Sequence, residues 1–265
     1  MKSDMTLAER NSLAQIQRRT NYTSTTDLDF SILHILRPWI ESALIDSLKN
    51  HDPNAPLQVL DVGCGNQPFR SLIEGLKANY TSIDAIQNPM NSVDVVQAID
   101  SPTLSQNLAL STFDVVLCTE VMEHVFDWPV AFENLYKLTR PGGVVIITCP
   151  FFWPLHEEPY DFWRPTLHAI RRSAQRVGFV EEQLRTGGDL WDVLGTVVGN
   201  SNFTSRLSGP AAIVLNVAAR VMRRLSLLCL RKRAIARFFK LDSLQGPFYL
   251  ANLVILRRPV LLDQI

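Results

Sequence analysis

From Leu57 onward, short apolar runs alternate with stretches of helical spacing along the chain. That alternation is the pattern of a parallel sheet whose strands are joined by crossover helices. The runs Leu57–Val62, Asn79–Asp84, Val93–Ile99, Phe113–Thr119 and Val144–Cys149 predict strands. Helical spacing falls near Phe69–Leu76 and over Trp128–Leu138, where Ala131, Leu135 and Leu138 share a face and Pro141-Gly142-Gly143 supplies a sharp stop. A further helix, about Thr166 to Val177, carries a stripe of Leu167, Ile170, Ala174 and Val177. Gly178 ends it, Phe179–Leu184 resumes as a strand, and Tyr249–Leu256 predicts the last one. Before this pattern lies a polar lead and a helix from roughly Phe30 to Leu48, closed by Pro53 and Pro56. The chain therefore divides into a helical preface over 1–55 and one main domain over 56–265.

Composition narrows the classes. With 265 residues, 46% apolar and 20% charged, the chain can bury one substantial core. A formal net charge of zero argues against a general nucleic-acid binder. Cys64, Cys118, Cys149 and Cys229 are widely spaced, so neither a disulfide framework nor a metal site is expected from them. The segment MKSDMTLAERNSLAQ lacks an apolar stretch of signal-peptide length. A cytoplasmic location is expected, with Asn-x-Thr at Asn21, Asn79 and Asn202 as chance matches.

The candidate chemistry begins where the first strand runs into Asp61-Val62-Gly63-Cys64-Gly65-Asn66-Gln67-Pro68. In open parallel sheets ligands bind beyond the C-terminal strand ends. Gly63 and Gly65 allow a tight turn and a close backbone approach; an ordinary strand-to-helix turn would use them equally well. A dinucleotide fingerprint wants a third glycine where Pro68 stands, and Asp61 is badly placed beside a pyrophosphate. Asp61 suits a cationic, phosphate-free ligand better. Asp84 ends the second strand, where a carboxylate can accept from ribose hydroxyls, and Asp100 ends the third, in reach of an adenine amino group. Each acid alone also fits a solvated loop or a helix cap.

Taken together, VLDVGCGNQPF, the acids of YTSID and VQAID, and FDVVLCTEVMEHV followed by LTRPGGVVIITCPF resemble the class I S-adenosylmethionine-dependent methyltransferases, and more narrowly the type-11 group. The resemblance spans about residues 55–185. It implies a Rossmann-like sheet of seven strands, ordered 3-2-1-4-5-7-6 with the seventh antiparallel and helices on both faces. It implies S-adenosylmethionine as cofactor, with Asp61, Gly63 and Gly65 at its methionine portion, Asp84 at the ribose and Asp100 at the adenine. Glu120 and the Glu123-His124 pair match the motif that lines the cofactor and faces the acceptor. The motif's usual third glycine is here Gln67.

The acceptor side is expected in the loop from Cys149 to Thr166, rich in prolines, aromatics and ionisable groups. Phe152, Trp153 and Trp163 are candidates to wall a pocket. A hydroxyl acceptor needs a base, and His156 and His124 are the candidates. His156 is favoured, with Glu157 and Asp161 close enough in sequence to orient it; His124 follows Glu120 at i and i+4 and reads as a cofactor wall on a helix. The PF…P…HE.P.D.WR.T pattern resembles methyltransferases encoded with surface-polysaccharide genes, which points to O-methylation of a sugar or glycolipid intermediate. The alternatives are a lipophilic, quinone-like acceptor and a non-catalytic binding module.

Between the last two strands, at about 187–246, lies an insertion that a minimal fold does not need. Its segment 206–240 carries Arg206, Arg220, Arg223, Arg224, Arg231, Lys232, Arg233, Arg237 and Lys240 and no acid. As a helix it would set Val214, Val217, Ala218, Val221, Leu225 and Leu228 opposite Arg220, Arg223, Arg224 and Arg231. A membrane span is excluded by mid-span arginines at roughly 2.5–3.5 kcal/mol each. Peripheral contact with anionic lipid, a pocket lid and a dimer contact all fit that face.

Overall fold

The computed structural model describes residues 30–49, 55–200, 210–231 and 247–260. Its strands are β1 (Gln58–Val62), β2 (Asn79–Asp84), β3 (Val95–Val96), β4 (Phe113–Thr119), β5 (Thr139–Pro150), β6 (Val180–Gly187) and β7 (Ala251–Arg257). They form one seven-stranded sheet in the order β3-β2-β1-β4-β5-β7-β6. β1 pairs in parallel with β2 and β4, and β4 with β5, whereas β7 runs antiparallel between β5 and β6. Order and direction are those the resemblance implied.

The helices are α1 (Phe30–Leu48), α2 (Arg70–Gly75), α3 (Trp128–Leu138), α4 (Leu167–Val177), α5 (Leu190–Asn200) and α6 (Pro210–Arg231). Local chemistry sets their ends. In α3 the Asp127 side chain accepts from Val130 N, and in α4 the Thr166 side chain accepts from Ala169 N. Gly178, at φ 102°, stops α4 in the left-handed conformation. The expected stop at Pro141-Gly142-Gly143 comes earlier, at Leu138, and those three residues lie within β5. β3 is shorter than the predicted run because side chains satisfy its entry. Ser92 N, Val93 N and Asp94 N donate to Asn88, Gln87 and Ser82 oxygens instead of to a ladder.

Two apolar layers enclose the sheet. One gathers α3 and α4 around Leu60, Val116, Val145 and Ile147, with Phe132, Leu135, Ile170 and Ala174 fully buried. The other is built on α1, whose Ile32, Leu36, Ile40, Ala43, Leu44 and Leu48 pack with Val59, Val115, Leu117 and Ile146. The helix read from sequence as a preface is thus one face of the domain's own core. Trp39 Nε1 donates to Gln183 Oε1 of β6 at 3.1 Å, and His34 Nε2 lies 3.7 Å from Asp192 Oδ1 of α5, fixing α1 across the sheet. Of the predicted insertion, α5 and α6 are helical and pack on one another, while 201–209 and 232–246 lie outside the described residues.

Leu44 is 0% exposed, so Leu44→Ala should cost about 2–5 kcal/mol through lost burial and a residual cavity. Urea denaturation measures it; a loss under about 1 kcal/mol would mean that α1 is peripheral.

Candidate active site

The turn after β1 depends on glycine. Gly63 has φ 63° and Gly65 φ 50°, and a Cβ at Gly63 would lie 2.3 Å from Val121 Cγ2. That turn is held against the neighbouring strand by Gly63 N donating to Ile83 O at 2.8 Å. Asp84 accepts from Gly65 N at 2.9 Å through Oδ2 and from Ile86 N at 3.2 Å through Oδ1. Gln67 stands where the motif has its third glycine, and it adopts φ 56°, in the left-handed region glycine favours. Its buried amide donates to Ser82 Oγ and Ser92 O, which stitches the turn to the β2 exit.

Asp61 is 2% exposed and accepts a hydrogen bond from Tyr80 Oη at 2.6 Å. Burial pushes its carboxyl up to about 7, with the charge of Asp84 adding to the rise and the Tyr80 hydrogen bond opposing it. A buried acid of this kind is complementary to a cationic ligand group. Burial likewise pushes the Cys64 thiol up to about 12, so it is no nucleophile at neutral pH.

The second turn follows β4. Glu120 takes φ 53° and Met122–His124 forms one 3-10 turn, so Glu120 and His124 do not share a helix face as their spacing suggested. Glu123 is fully buried. Its carbonyl accepts from Phe162 N at 2.8 Å and Trp163 N at 3.2 Å, which ties the loop after β5 over this turn. In that loop Asp161 receives Arg164 on both oxygens, NH1 to Oδ1 at 2.6 Å and NH2 to Oδ2 at 2.7 Å. Against the upward push of burial, these bonds and one from His156 N hold Asp161 below the usual carboxylate range. Asp161 Oδ2 also lies 3.3 Å from His156 Nδ1. Glu157 turns the other way, with Oε2 3.8 Å from His124 Nε2.

A cavity of about 340 Å³ joins the two turns. Asp61, Gly63, Gly65 and Glu120 line it together with His124 and His156. Asp84 and Asp100 lie outside its wall; Asp161 reaches it only through His156. Phe152, Trp153 and Trp163 do not wall it as expected. Trp153 packs into the α1 layer, and Trp163 packs near Trp128 with its Nε1 bonded to Val125 O. The apolar wall comes instead from Leu33, Leu36 and Ile40 of α1, with Arg37 and His34 beside them. Sequence reasoning missed this wall because α1 precedes every motif; only the spacing of its apolar residues hinted at a packed face.

A model described as a methyltransferase domain matches residues 35–184. The chain belongs to the S-adenosylmethionine-dependent class I methyltransferases. Ubiquinone biosynthesis O-methyltransferase of Rickettsia bellii is 30% identical to it over 155 residues, covering 54% of this chain. The human mitochondrial protein of that name is 28% identical over 127 residues, covering 42% of this chain and 34% of its own length. The match covers 63% of the Rickettsia protein's length. A solved S-adenosylmethionine-dependent methyltransferase from Archaeoglobus fulgidus shares the fold, with TM-score 0.51 at 13% identity over 83% of this chain and 93% of its own. The methyltransferase's cavity fits the family's cofactor on structural grounds: a backbone cradle that a Cβ would fill, and a buried acid awaiting positive charge.

Because burial raises the pKa of Asp61 in the folded state, its stabilising contribution is complete below the unfolded value of about 3.9 and is lost as pH rises through about 7. The ligand-free methyltransferase should therefore lose thermal stability relative to Asp61→Asn between about pH 5 and about pH 8. Parallel melting profiles would assign Asp61 an ordinary carboxylate.

Proposed function

We propose that this methyltransferase methylates a hydroxyl oxygen on a lipophilic, quinone-like ring. The observation that carries the reading is the cavity itself: a slot with aliphatic side chains of α1 on one wall, the glycine turn at one side, and His124 with His156 as its polar end. An apolar slot with a few convergent polar groups suits a flat ring bearing a hydroxyl. The names of the curated relatives support the same class, and they favour it over the saccharide acceptor expected from the loop.

In this reading Asp61, Gly63 and Gly65 hold the methionine end of the cofactor, Asp84 the ribose and Asp100 the adenine, with Glu120 beside the reacting end. The bound cofactor supplies a methyl group on a cationic sulfur. The chain's own part is to seat the hydroxyl in line and to manage its proton. In this reading His156 is that base, a role supported by Asp161 Oδ2 lying 3.3 Å from its Nδ1. Methyl transfer from labelled cofactor to catechol-type rings with an isoprenoid tail, compared with saccharides, tests the acceptor class. Transfer to the ring is expected, with His156→Ala slower by about a hundred- to ten-thousand-fold and cofactor affinity kept within a few fold. Transfer to saccharide, or cofactor binding without turnover on any acceptor, would overturn the reading.

The exposed helix α6 suits a membrane-dissolved acceptor. Val214, Val217, Val221 and Leu225 are all at least half exposed, and Arg220 and Arg224 are exposed as well. Among the described residues none of α6 lines the cavity, which speaks against a lid. No described helix is long and apolar enough to cross a membrane. A helix of this composition favours lying in an anionic interface. Sedimentation with phosphatidylglycerol vesicles should show binding that falls with salt and disappears when residues 206–240 are deleted. Indifference of the intact protein to such vesicles at low salt would leave α6 a protein contact.

A further inference from the structure

We propose that Tyr80 is a positioning residue for the cofactor, holding the Asp61 carboxyl so that a positively charged group seated beside it expels a proton. The inference rests on the reading that puts Asp61 at the cofactor's methionine end, and it is independent of the acceptor. β1 and β2 pair with Val59 opposite Tyr80. Side chains alternate along a strand, so Asp61 and Tyr80 stand on the same face of neighbouring strands. Tyr80 Oη donates to Asp61 Oδ2 at 2.6 Å, within the range of about 2.5–2.7 Å for a bond to a charged oxygen. No other hydrogen bond reaches the Asp61 side chain among the described residues, and Asp61 lines the cavity.

Tyr80 is itself held. Its ring packs in the α1 layer, and the Arg70 guanidinium of α2 lies 5.4 Å from the ring centroid. Arg70 is fastened in turn by Glu74 Oε1 at 2.8 Å and Gln67 Oε1 at 3.2 Å. Burial and the Asp61 charge push the Tyr80 phenol up, and Arg70 opposes them. The phenol therefore keeps its proton and serves Asp61 only as a donor.

The neighbours of Asp61 disfavour its charge. Asp84 on β2 is a like charge, and Glu120 from the turn after β4 is a second acid on the cavity wall, raised to about 7 by burial. The Cys64 and Cys118 thiols are pushed up and stay neutral. The basic side chains along the cavity have acids of their own. On α1, Arg37 has Glu41 and His34 has Asp192; at the polar end, His124 has Glu157 and His156 has Asp161. Among the described residues no cation pairs with Asp61, so a positive charge has to come from a ligand.

A buried acid in such surroundings ionises when a cation is placed against it. Below the pH at which it would ionise alone, each binding event releases a proton to the buffer. Affinity then weakens by up to about tenfold for each pH unit lost. Tyr80 sets where that region begins. Its bond favours the charged carboxylate, so removing the bond lets Asp61 keep its proton to higher pH. The bond also engages Oδ2 and leaves Oδ1 as the oxygen with no hydrogen-bond partner among the described residues.

Calorimetric titration of the full-length protein with S-adenosylmethionine, in buffers of different ionisation heat and without acceptor, counts the protons released. With Asp61 ionising at about 7, roughly nine-tenths of a proton should leave at about pH 6 and roughly a quarter at about pH 7.5. In Tyr80→Phe a rise of about one unit should lift the second count to roughly three-quarters. A merely structural role for Tyr80 would weaken binding and leave the count where it was. Asp61→Asn gives the protons moved by other groups, Glu120, the histidines and the ligand amine included, and its count is subtracted. Should circular dichroism show Tyr80→Phe unfolded, Arg70→Met replaces it and is expected to raise the count in the same direction. No release by the intact protein at about pH 6, undiminished release in Asp61→Asn, or an unchanged count in the folded Tyr80 or Arg70 variant overturns the proposal. Unchanged cofactor affinity in folded Asp61→Asn overturns it together with the reading it rests on. Affinity weakened about 10-fold or more in Asp61→Asn, with no proton released by the intact protein, keeps that reading and removes the inference alone.

Discussion

The pairing of Asp161 with Arg164 is the constraint on which the loop after β5, and with it the polar end of the cavity, depends. The loop after β5 runs sixteen residues from Phe151 to Thr166 without regular structure, and a segment of that length has many ways to lie. Two charge-assisted bonds from one guanidinium, with further bonds from Arg164 to the carbonyls of Trp153 and Pro154, close it on itself. The same carboxylate accepts from His156 N and lies beside that residue's ring. Arg164 therefore acts on His156 both through that carboxylate and directly, its NH2 lying 3.4 Å from His156 Nδ1, and the charge it neutralises lets a carboxylate sit beside the ring. The desolvation such a buried pair incurs is offset only because every oxygen of Asp161 is engaged.

The sheet supplies the other half of the arrangement. Because β1 and β4 are parallel neighbours, their C-terminal ends open on the same edge, and the two turns that follow meet there. One turn is shaped by glycines and a buried acid, the other by a strained Glu120 and a single 3-10 turn. α1 then crosses both and closes the apolar side. Glycine turn, polar end and apolar wall of the cavity thus come from three separated stretches of chain.

Much of this was legible in the residues. Strand-ending acids and the glycine turn are read from local pattern, since a short apolar run that stops at Asp or Gly marks where a buried strand ends. Asp61, Gly63, Gly65, Glu120, His124 and His156 are accordingly found around one cavity. What pattern cannot convey is the conformation of short irregular segments. Glu120 and His124 have helical spacing, yet the left-handed φ at Glu120 breaks that face. The partners of the histidines could not be assigned from proximity in sequence either. Glu157 is adjacent to His156 but faces His124, because its own backbone at φ 51° turns the side chain away. The wall contributed by α1 was invisible for a different reason: it is a long-range packing contact, and its Leu and Ile spacing says that a face is buried without saying against what.

The contact between Gly63 and Val121 has a consequence for how the family's variants must look. A side chain at 63 would enter the space filled by the Val121 isopropyl group, since the built Cβ lies 2.3 Å from Cγ2 and 3.1 Å from Cγ1. The two positions belong to different turns, one after β1 and one after β4, so their backbones are locked face to face with no slack between them. Neither turn can slide along the sheet edge without dragging its neighbour. Exchange of volume between the two sites is blocked as well, because the φ of 63° excludes most larger residues at the first even if the second shrinks. Changes in the shape of the cavity are thereby channelled away from the strand ends and into the parts that are not interlocked, α1 and the loop after β5.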